Sequence, residues 1–559
     1  YPIRPMTINP KQYKYQQFLS NKDSKRRLPA FWEHGPFSEE LQKNLNALDP
    51  NEKIYLSSGV PNKELFSVKN ISVNHTLDLG HENVGTPGND VLTNTFHIGN
   101  EAFSKNTSSS DYNSNVPIES VFEYSDQTHG LTSTVDLYNK LITKFNYFRE
   151  DLPANKERRK NYDVMITSGT SASCFYLTQL LLDQNKTILV EEFTYPVILA
   201  NVTMTDGHYA PFNLNMHATE ENGENPIDVV YLDNLLSNWE SIHPNKPYPT
   251  CLYTIPVQNP TGLVQSSKHR QEVYNICKKH NVLIIEDDPY GNILLTDEIE
   301  KDLNKTVTTY EDFSNQKDDY LNKLETAASY LSIDTEGIVF RCESVSKIFA
   351  PGLRVGVIIA NKFFISRLKN IVECSTREIS GASMTIFNEC CYGMDKLLER
   401  QVQESNNIKE LDGWIQWCMN LSHRYKLRQD ILLNKLYETK AYKEKKLFEC
   451  IEPKFGMFLC IQLNLKEKKP SVLESAENMK MGMQYMDYKL LEHNLSAIVG
   501  PKLSIDVEHS FKKSGFIRVT VAQATGKEQL SLAAEKIGKA IEDFFDEYLT
   551  PKQKYDVIL

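Results

Sequence analysis

The run Ser344-Val345-Ser346-Lys347-Ile348-Phe349-Ala350-Pro351-Gly352-Leu353-Arg354 sets two small hydroxyls before one lysine, a Pro-Gly break after it and an arginine seven residues on (354 − 347 = 7). An amine attacks a carbonyl only when unprotonated, so a reactive lysine needs neighbours that lower its pKa. Hydroxyls and a guanidinium nearby suit a phosphorylated aldehyde: neutral donors and a fixed fork for the phosphate, the amine for the aldehyde. The competing reading is a surface lysine ahead of a turn and an apolar strand, which short motifs of this kind also produce.

Other segments carry complementary chemistry. Ser168-Gly169-Thr170-Ser171 opens an expected helix, where backbone N–H groups and hydroxyls can form an anion site; a plain helix cap reads the same way. Asn259-Pro260-Thr261-Gly262 offers an amide that could donate to a phenolate oxygen, or is a turn dictated by Pro and Gly alone. In Glu286-Asp287-Asp288-Pro289-Tyr290 a carboxylate could keep a pyridine nitrogen protonated, with Tyr290 reaching the phenolate side. A Mg²⁺ site is the rival there, but no phosphate-binding Gly-Lys-Ser/Thr motif accompanies it, and no metal is expected. Tyr195 can stack on a ring or fill a core. Arg518 lies inside an apolar strand and needs an anion, whether a structural carboxylate or a substrate's.

The elements that must position these residues follow from periodicity. Val164–Thr167, Thr187–Glu191, Cys251–Val257 and Val282–Glu286 read as strands, and Ala172–Leu182 and Lys268–His280 as helices. Short β-branched runs separated by helices indicate buried parallel strands in an open α/β sheet, whose ligands bind outside the carboxyl ends of the strands. A helix is expected over Ser133–Phe148, others over Phe363–Cys374 and Met384–Tyr392, then a long helical region over Leu397–Tyr437. Strands over Phe448–Ile451, Gly456–Ile461 and Phe516–Val521 and a closing helix over Lys527–Tyr548 make the C-terminal part α+β. Tyr55–Asn62 reads as a short strand entering a Gly-Pro turn. Residues 70–117 lack sustained periodicity and read as a long, partly disordered loop, and the acidic stretch 296–335 as a surface insertion.

The organisation expected is thus an α/β fold: an N-terminal arm and substrate segment (1–70), an insertion (71–117), a large mostly parallel-sheet domain (118–375) and a smaller α+β domain (376–559). Composition is that of an ordinary globular chain, 40% hydrophobic and 24% charged over 559 residues, with a mean hydropathy of -0.45. A net charge of -11 disfavours nucleic-acid backbones and anionic membranes as partners. No apolar run is long enough to span a membrane, and the N-terminus lacks a secretory core, although the chain opens on Tyr1 and a preceding or removed targeting segment stays open. Ten scattered cysteines without CxxC spacing fit reduced thiols and a cytoplasmic location.

Taken together, Asn259-Pro260-Thr261-Gly262, Asp287-x-x-Tyr290, Ser344-x-Ser346-Lys347 with Arg354, and Arg518 resemble the fold-type-I pyridoxal-phosphate-dependent aminotransferases. Within them, the lysine run and Glu286-Asp287-Asp288-Pro289-Tyr290-Gly291 look like the aromatic and α-aminoadipate branch, which includes kynurenine aminotransferases. Glu191-Glu192-Phe193-Thr194-Tyr195, Gly413-Trp414-Ile415-Gln416-Trp417 and Leu436-Tyr437-Glu438-Thr439 are similar to fungal aromatic aminotransferases. The resemblance implies that Lys347 forms the internal aldimine with pyridoxal 5'-phosphate and serves as base and acid. Asp287 would pair with the ring nitrogen, Asn259 and Tyr290 with the phenolate, and Tyr195 would stack. Thr170, Ser171, Ser344, Ser346 and Arg354 would ring the phosphate, and Arg518 would clamp the substrate α-carboxylate. Gly59 would line the substrate side, Arg27 would meet the substrate side chain, and Tyr124 would enter from the other subunit of a homodimer with shared sites.

The expected activity is ping-pong transfer of the amino group of Phe, Tyr or Trp to a 2-oxo acid such as 2-oxoglutarate; α-aminoadipate or kynurenine are the alternative donors, and a β-lyase shares these residues. A catalytically inactive paralogue is a further alternative, opposed by the intact lysine, aspartate and arginines. Cofactor-sensing transcription regulators share the fold, but residues 1–50 contain no basic reading helix. The chain departs from its relatives at Leu56-Ser57-Ser58-Gly59-Val60, at Ser171, and at Val499-Gly500-Pro501-Lys502, positions that bear on specificity or surface.

Overall fold

The computed structural model describes residues 13–25, 37–49, 61–77, 92–99, 111–124, 129–219, 221–295 and 309–550. Three sheets organise these residues. Strands β1 (Asn70–Thr76), β2 (Thr93–Gly99) and β3 (Tyr112–Asn113) form a small sheet, with β1 and β2 antiparallel from Asn70↔Gly99 to Thr76↔Thr93. The central sheet contains β4 (Tyr162–Thr167), β5 (Thr187–Glu191), β6 (His208–Phe212), β7 (Pro249–Thr254), β8 (Leu283–Asp287), β9 (Val339–Ser344) and β10 (Gly356–Asn361) in the order β4-β10-β9-β8-β7-β5-β6. Only β10 runs antiparallel to its neighbours. Strands β5, β8, β9 and β10 are buried along their whole length, as an unbroken aliphatic run requires when helices cover both faces. The third sheet, β11 (Phe448–Ile451), β12 (Phe458–Leu463), β13 (Ile498–Val499) and β14 (Phe516–Thr520), is antiparallel throughout, in the order β11-β12-β14-β13.

The strand-helix alternation of the central part matches expectation to within a few residues, with helices at Thr170–Leu181 and Ser267–Lys279. Three expectations are corrected. Residues 70–117 carry the small sheet as well as loop: Ile71, Val73, Phe96 and Ile98 alternate with polar residues and make a separate apolar cluster with Ile118, Val121 and Cys390. The stretch 296–335 is not all surface, since a Tyr310–Leu324 helix buries Phe313 and Tyr320 and sends the Tyr320 hydroxyl to the Asn292 carbonyl at 2.6 Å. The long helical region expected over Leu397–Tyr437 is broken: it holds the end of one helix, Gly381–Gln401, which also takes in the helix expected at Met384–Tyr392, and most of a second, Asp412–Glu438. Glu404 and Leu411 in left-handed conformation (φ 59° and 64°) turn the chain between them. The strand expected at 55–62 lies largely outside the described residues.

Candidate functional site

Strands β5, β7, β8 and β9 are mutually parallel, and β4 and β9 both oppose β10, so all five carboxyl ends meet at one sheet edge. The lysine turn leaves β9 there. The Val345 carbonyl accepts from the N–H groups of Phe349 (2.8 Å) and Ala350 (3.1 Å), while the Val345 N–H donates to Val355 at 3.2 Å. Within this closed turn Ile348 is buried and Lys347 faces outward. Although Lys347 stays open to solvent, its pKa is pushed down, first by the protein around it and then by the Arg354 and Arg518 guanidiniums; Asp287 opposes them. Two cations and a carboxylate therefore converge on the amine.

Arg354 also shapes an anion cup. Its Nη1 donates to Ser346 Oγ at 3.2 Å and to the Pro351 carbonyl at 2.9 Å, and its Nη2 to the Ser168 carbonyl at 2.8 Å. The Ser344 hydroxyl donates to Ser346 Oγ at 2.8 Å. Gly169, at φ 89°, opens the Thr170–Leu181 helix without a side-chain cap. A Cβ there would come within 2.5 Å of Arg354 Nη2, so only glycine lets the guanidinium lie against the helix start. Ala172 and Ser173 donate back to the Gly169 carbonyl, which leaves the first-turn N–H groups of Thr170 and Ser171 facing outward at the positive helix end.

Asp287, the last residue of β8, is buried. Its Oδ2 accepts from the Tyr253 hydroxyl at 2.6 Å and the Cys174 thiol at 3.9 Å, whereas Oδ1 is buried without a partner among the described residues. Burial raises its pKa to about 6, opposed by the Tyr253 hydrogen bond and by Lys347, and reinforced by Asp288. A buried carboxylate oxygen lacking a donor is what a protonated ring nitrogen would complete, and on this observation the residues fit pyridoxal phosphate.

Asn259 follows β7 and accepts from Arg518 Nη1 at 2.9 Å through Oδ1. Tyr290 is buried beside it, its phenol pKa raised first by burial, then by Asp287, and lowered by Arg518 and by an Asn259 hydrogen bond. The Arg518 guanidinium lies 4.6 Å over the Phe458 ring, and its buried Nε has no partner among the described residues, so a donor is left for a carboxylate. Tyr195 is 40% exposed and near enough to act on Tyr290 electrostatically. The structure thus gathers Lys347, Arg354, Ser346, Ser344, Thr170, Ser171, Asp287, Asn259, Tyr290, Tyr195 and Arg518 at the carboxyl edge of the central sheet and on the strand that faces it. Tyr124 is 56% exposed, with the Arg377 guanidinium 5.3 Å from its ring centre, and is not among these contacts. Arg27 and Gly59 lie outside the described residues. A surface crevice of about 610 Å³ beside β6, lined by His208, Lys246, Lys480, Asp506 and Glu508 among others, shares no residue with this cluster.

Several supporting residues had no role that the sequence reading assigned. Glu191, fully buried at the end of β5, accepts from Thr254 Oγ1 (2.6 Å), Ile255 N–H (3.1 Å) and Gln258 Nε2 (3.0 Å). Gln258 in turn reaches the Phe193 carbonyl at 2.6 Å and accepts from the Thr261 N–H and hydroxyl at 2.8 and 2.7 Å. Beneath Asp287, Glu286 accepts from Arg270 and Arg341 (both 2.9 Å), and Arg341 also donates to Asp288 at 3.0 Å and Glu343 at 3.2 Å. The available signal was charge inside buried strands, as at Arg341 and Glu343 in β9, which demands partners somewhere.

The family model for aminotransferase class I and II matches residues 108–537. Aromatic amino acid aminotransferase 2 of Saccharomyces cerevisiae is 31% identical over 545 residues, covering 96% of each chain. The crystal structure of the aromatic aminotransferase Aro9 from C. albicans superposes with a TM-score of 0.74 at 29% identity, covering 95% of this chain and 98% of that one. Kynurenine aminotransferase of Pyrococcus horikoshii, at 16% identity and a TM-score of 0.56 over 77% of this chain and 84% of its own, shares the fold.

Proposed function

The chain belongs to the class I and II aminotransferases, and from that premise we propose that it transfers the amino group of an aromatic amino acid (Phe, Tyr or Trp) to a 2-oxo acid such as 2-oxoglutarate, with Lys347 as the reacting amine. The observation that carries this reading is the meeting of a lysine of lowered pKa with a buried aspartate whose second oxygen has no partner among the described residues. The aromatic substrate class rests on the S. cerevisiae and C. albicans relatives. Pyridoxal phosphate, when bound, supplies an aldehyde for the amine and a protonated ring that accepts the electron pair released at the substrate Cα.

The chain's own groups do the rest. Asp287 Oδ1 would hold the proton of the ring nitrogen, and Asn259 and Tyr290 would meet the phenolate oxygen. Thr170, Ser171, Ser344, Ser346 and Arg354 would hold the phosphate, and Tyr195 would cover the ring. Arg518 receives the substrate α-carboxylate and so orients its Cα–H toward Lys347. The unprotonated Nζ of Lys347 takes that proton and returns it on the other side of the exchange, and its lowered pKa favours that unprotonated form. Tyr124 is assigned to the site of a second subunit in a cytoplasmic homodimer. No described helix is long and apolar enough to cross a membrane.

Lys347→Ala should abolish both turnover and the visible absorbance of the pyridoxal phosphate-loaded protein. Retained turnover would sink the assignment. A donor panel with 2-oxoglutarate should rank Phe, Tyr and Trp above α-aminoadipate and kynurenine; the reverse ranking would move the enzyme to the neighbouring branch.

A further inference from the structure

The lysine turn is also held by a residue outside the cluster around Lys347. Trp417, in the Asp412–Glu438 helix, donates its indole N–H to the carbonyl of Ile348 at 2.6 Å. That carbonyl belongs to the residue immediately after Lys347. The next residue, Phe349, enters an aromatic box made by Phe387, Trp414 and Trp417, with ring centres 6.1, 5.9 and 5.9 Å away and edge-on or tilted geometry. Phe387 and Trp414 brace one another at 5.4 Å. The bonds from Phe349 and Ala350 to Val345 fix how the turn closes, and Val355 and Ser346 tie its near side to the chain around Arg354. The Trp417 bond and the Phe349 box hold the other side, beyond Lys347.

The same helix reaches the substrate side. Eleven residues beyond Trp417 (428 − 417 = 11), or roughly 16 Å along an α-helix, Arg428 donates through Nε to the Val521 carbonyl at 2.5 Å and through Nη2 to the Ala524 carbonyl. Val521 directly follows β14, the strand that carries Arg518. One continuous helix therefore contacts the chain next to the amine and the chain next to the carboxylate clamp.

We propose that Trp417 is a positioning residue for Lys347: its hydrogen bond to Ile348 sets the height and direction of the lysine turn relative to Arg518. The proposal rests on the assignment of Lys347 as the reacting amine, and Lys347→Ala tests that assignment separately.

Trp417→Phe keeps the aromatic volume and deletes the donor. Measured on the pyridoxal phosphate-loaded enzyme, it should lower kcat by up to about a hundredfold, the scale of a ~1 Å misplacement. KM for the amino donor should stay within about twofold, because Arg518 keeps its partners. The pH midpoint of the visible absorbance should shift, since that midpoint reports the setting of Lys347 and would not respond to a loss of packing elsewhere. Trp417→His restores a ring N–H, with Nε2 overlaying the indole nitrogen, and should recover most of the kcat and the original midpoint. An unchanged kcat and midpoint in Trp417→Phe would overturn the proposal. So would a Trp417→His variant as impaired as Trp417→Phe, or failure of both variants to fold, because the ring would then serve packing alone.

Discussion

Asp287 shows how a single neighbour sets the working range of a buried group. Removing a carboxylate from water raises its pKa, and Tyr253 draws it partly back by donating to Oδ2. Tyr253→Phe deletes that donor, so the Asp287 pKa should rise above about 6 and the acid limb of kcat/KM should move to higher pH, as a rate profile from pH 5 to 9 would reveal. An unmoved limb would mean that Asp287 does not govern it. Asp287→Asn, which cannot hold a ring proton by charge, should lower kcat by about 10²–10³, the usual loss when one preorganised electrostatic contact is removed. Asp287 was legible in the sequence because it ends an apolar run and is followed by Tyr290. Tyr253 was not: it sits mid-strand among Leu252 and Thr254, and pairing with Ile285 across β7 and β8 brings it beside Asp287. Proximity between strands is a property of register, which no single run of residues states.

At the scale of elements, the strand ends are tied together by Glu191. Burial raises its pKa to about 8 even against the hydrogen bonds from Thr254, Gln258 and Ile255 that favour the charge. An unfolded glutamate ionises near ~4.3. The folded state therefore prefers the protonated form, and this contribution is complete below the unfolded pKa and lost as pH rises past about 8. Glu191→Gln sets an amide donor against existing donors, costing about 1–3 kcal/mol, but it has no ionisation to lose. Its deficit against the wild type, read from urea midpoints, should be larger at pH 5 than at pH 9; a pH-independent gap would rule this out. Elements of this kind follow the aliphatic runs closely in sequence, as at Thr187–Glu191. The β1–β2 pair did not show, because its alternation is brief, its outward residues are polar, and long polar stretches separate its strands. Helix breaks at Glu404 and Leu411 were hidden for a different reason: neither residue type announces a left-handed backbone.

At the scale of the molecule, the site depends on two seams between the central sheet and the C-terminal sheet. In one, Leu295 donates to the Lys454 carbonyl and Gly456 to that of Ile293, both at 2.8 Å, which sets the chain after Tyr290 against the hairpin bearing Phe458. In the other, Thr194 donates to Leu503 and Ile505 to Glu192, both at 3.1 Å, so the loop carrying Tyr195 is stitched to the segment that leads into the Arg518 strand. Lys513 closes this second seam with a 2.6 Å contact to the buried Glu192, which also accepts from the Leu214 N–H at 2.7 Å. Burial pushes the Glu192 pKa up and Lys513 holds it down. Lys513→Met would leave that carboxylate buried beside no cation and raise its folded pKa further. Since a raised folded pKa means stability lost as pH rises, the variant should lose little near pH 5, where Glu192 can take up a proton. By pH 8 the loss should reach about 1–3 kcal/mol, less than for a fully buried pair because Lys513 is partly exposed. Thermal or urea unfolding at the two pH values measures the difference, and an equal loss at both would show that the lysine acts through packing instead of charge. Because the seam precedes Arg518 by only a few residues, KM for the amino donor should rise in parallel with the loss of stability, which places substrate capture and the cohesion of the two sheets under the same charge pair.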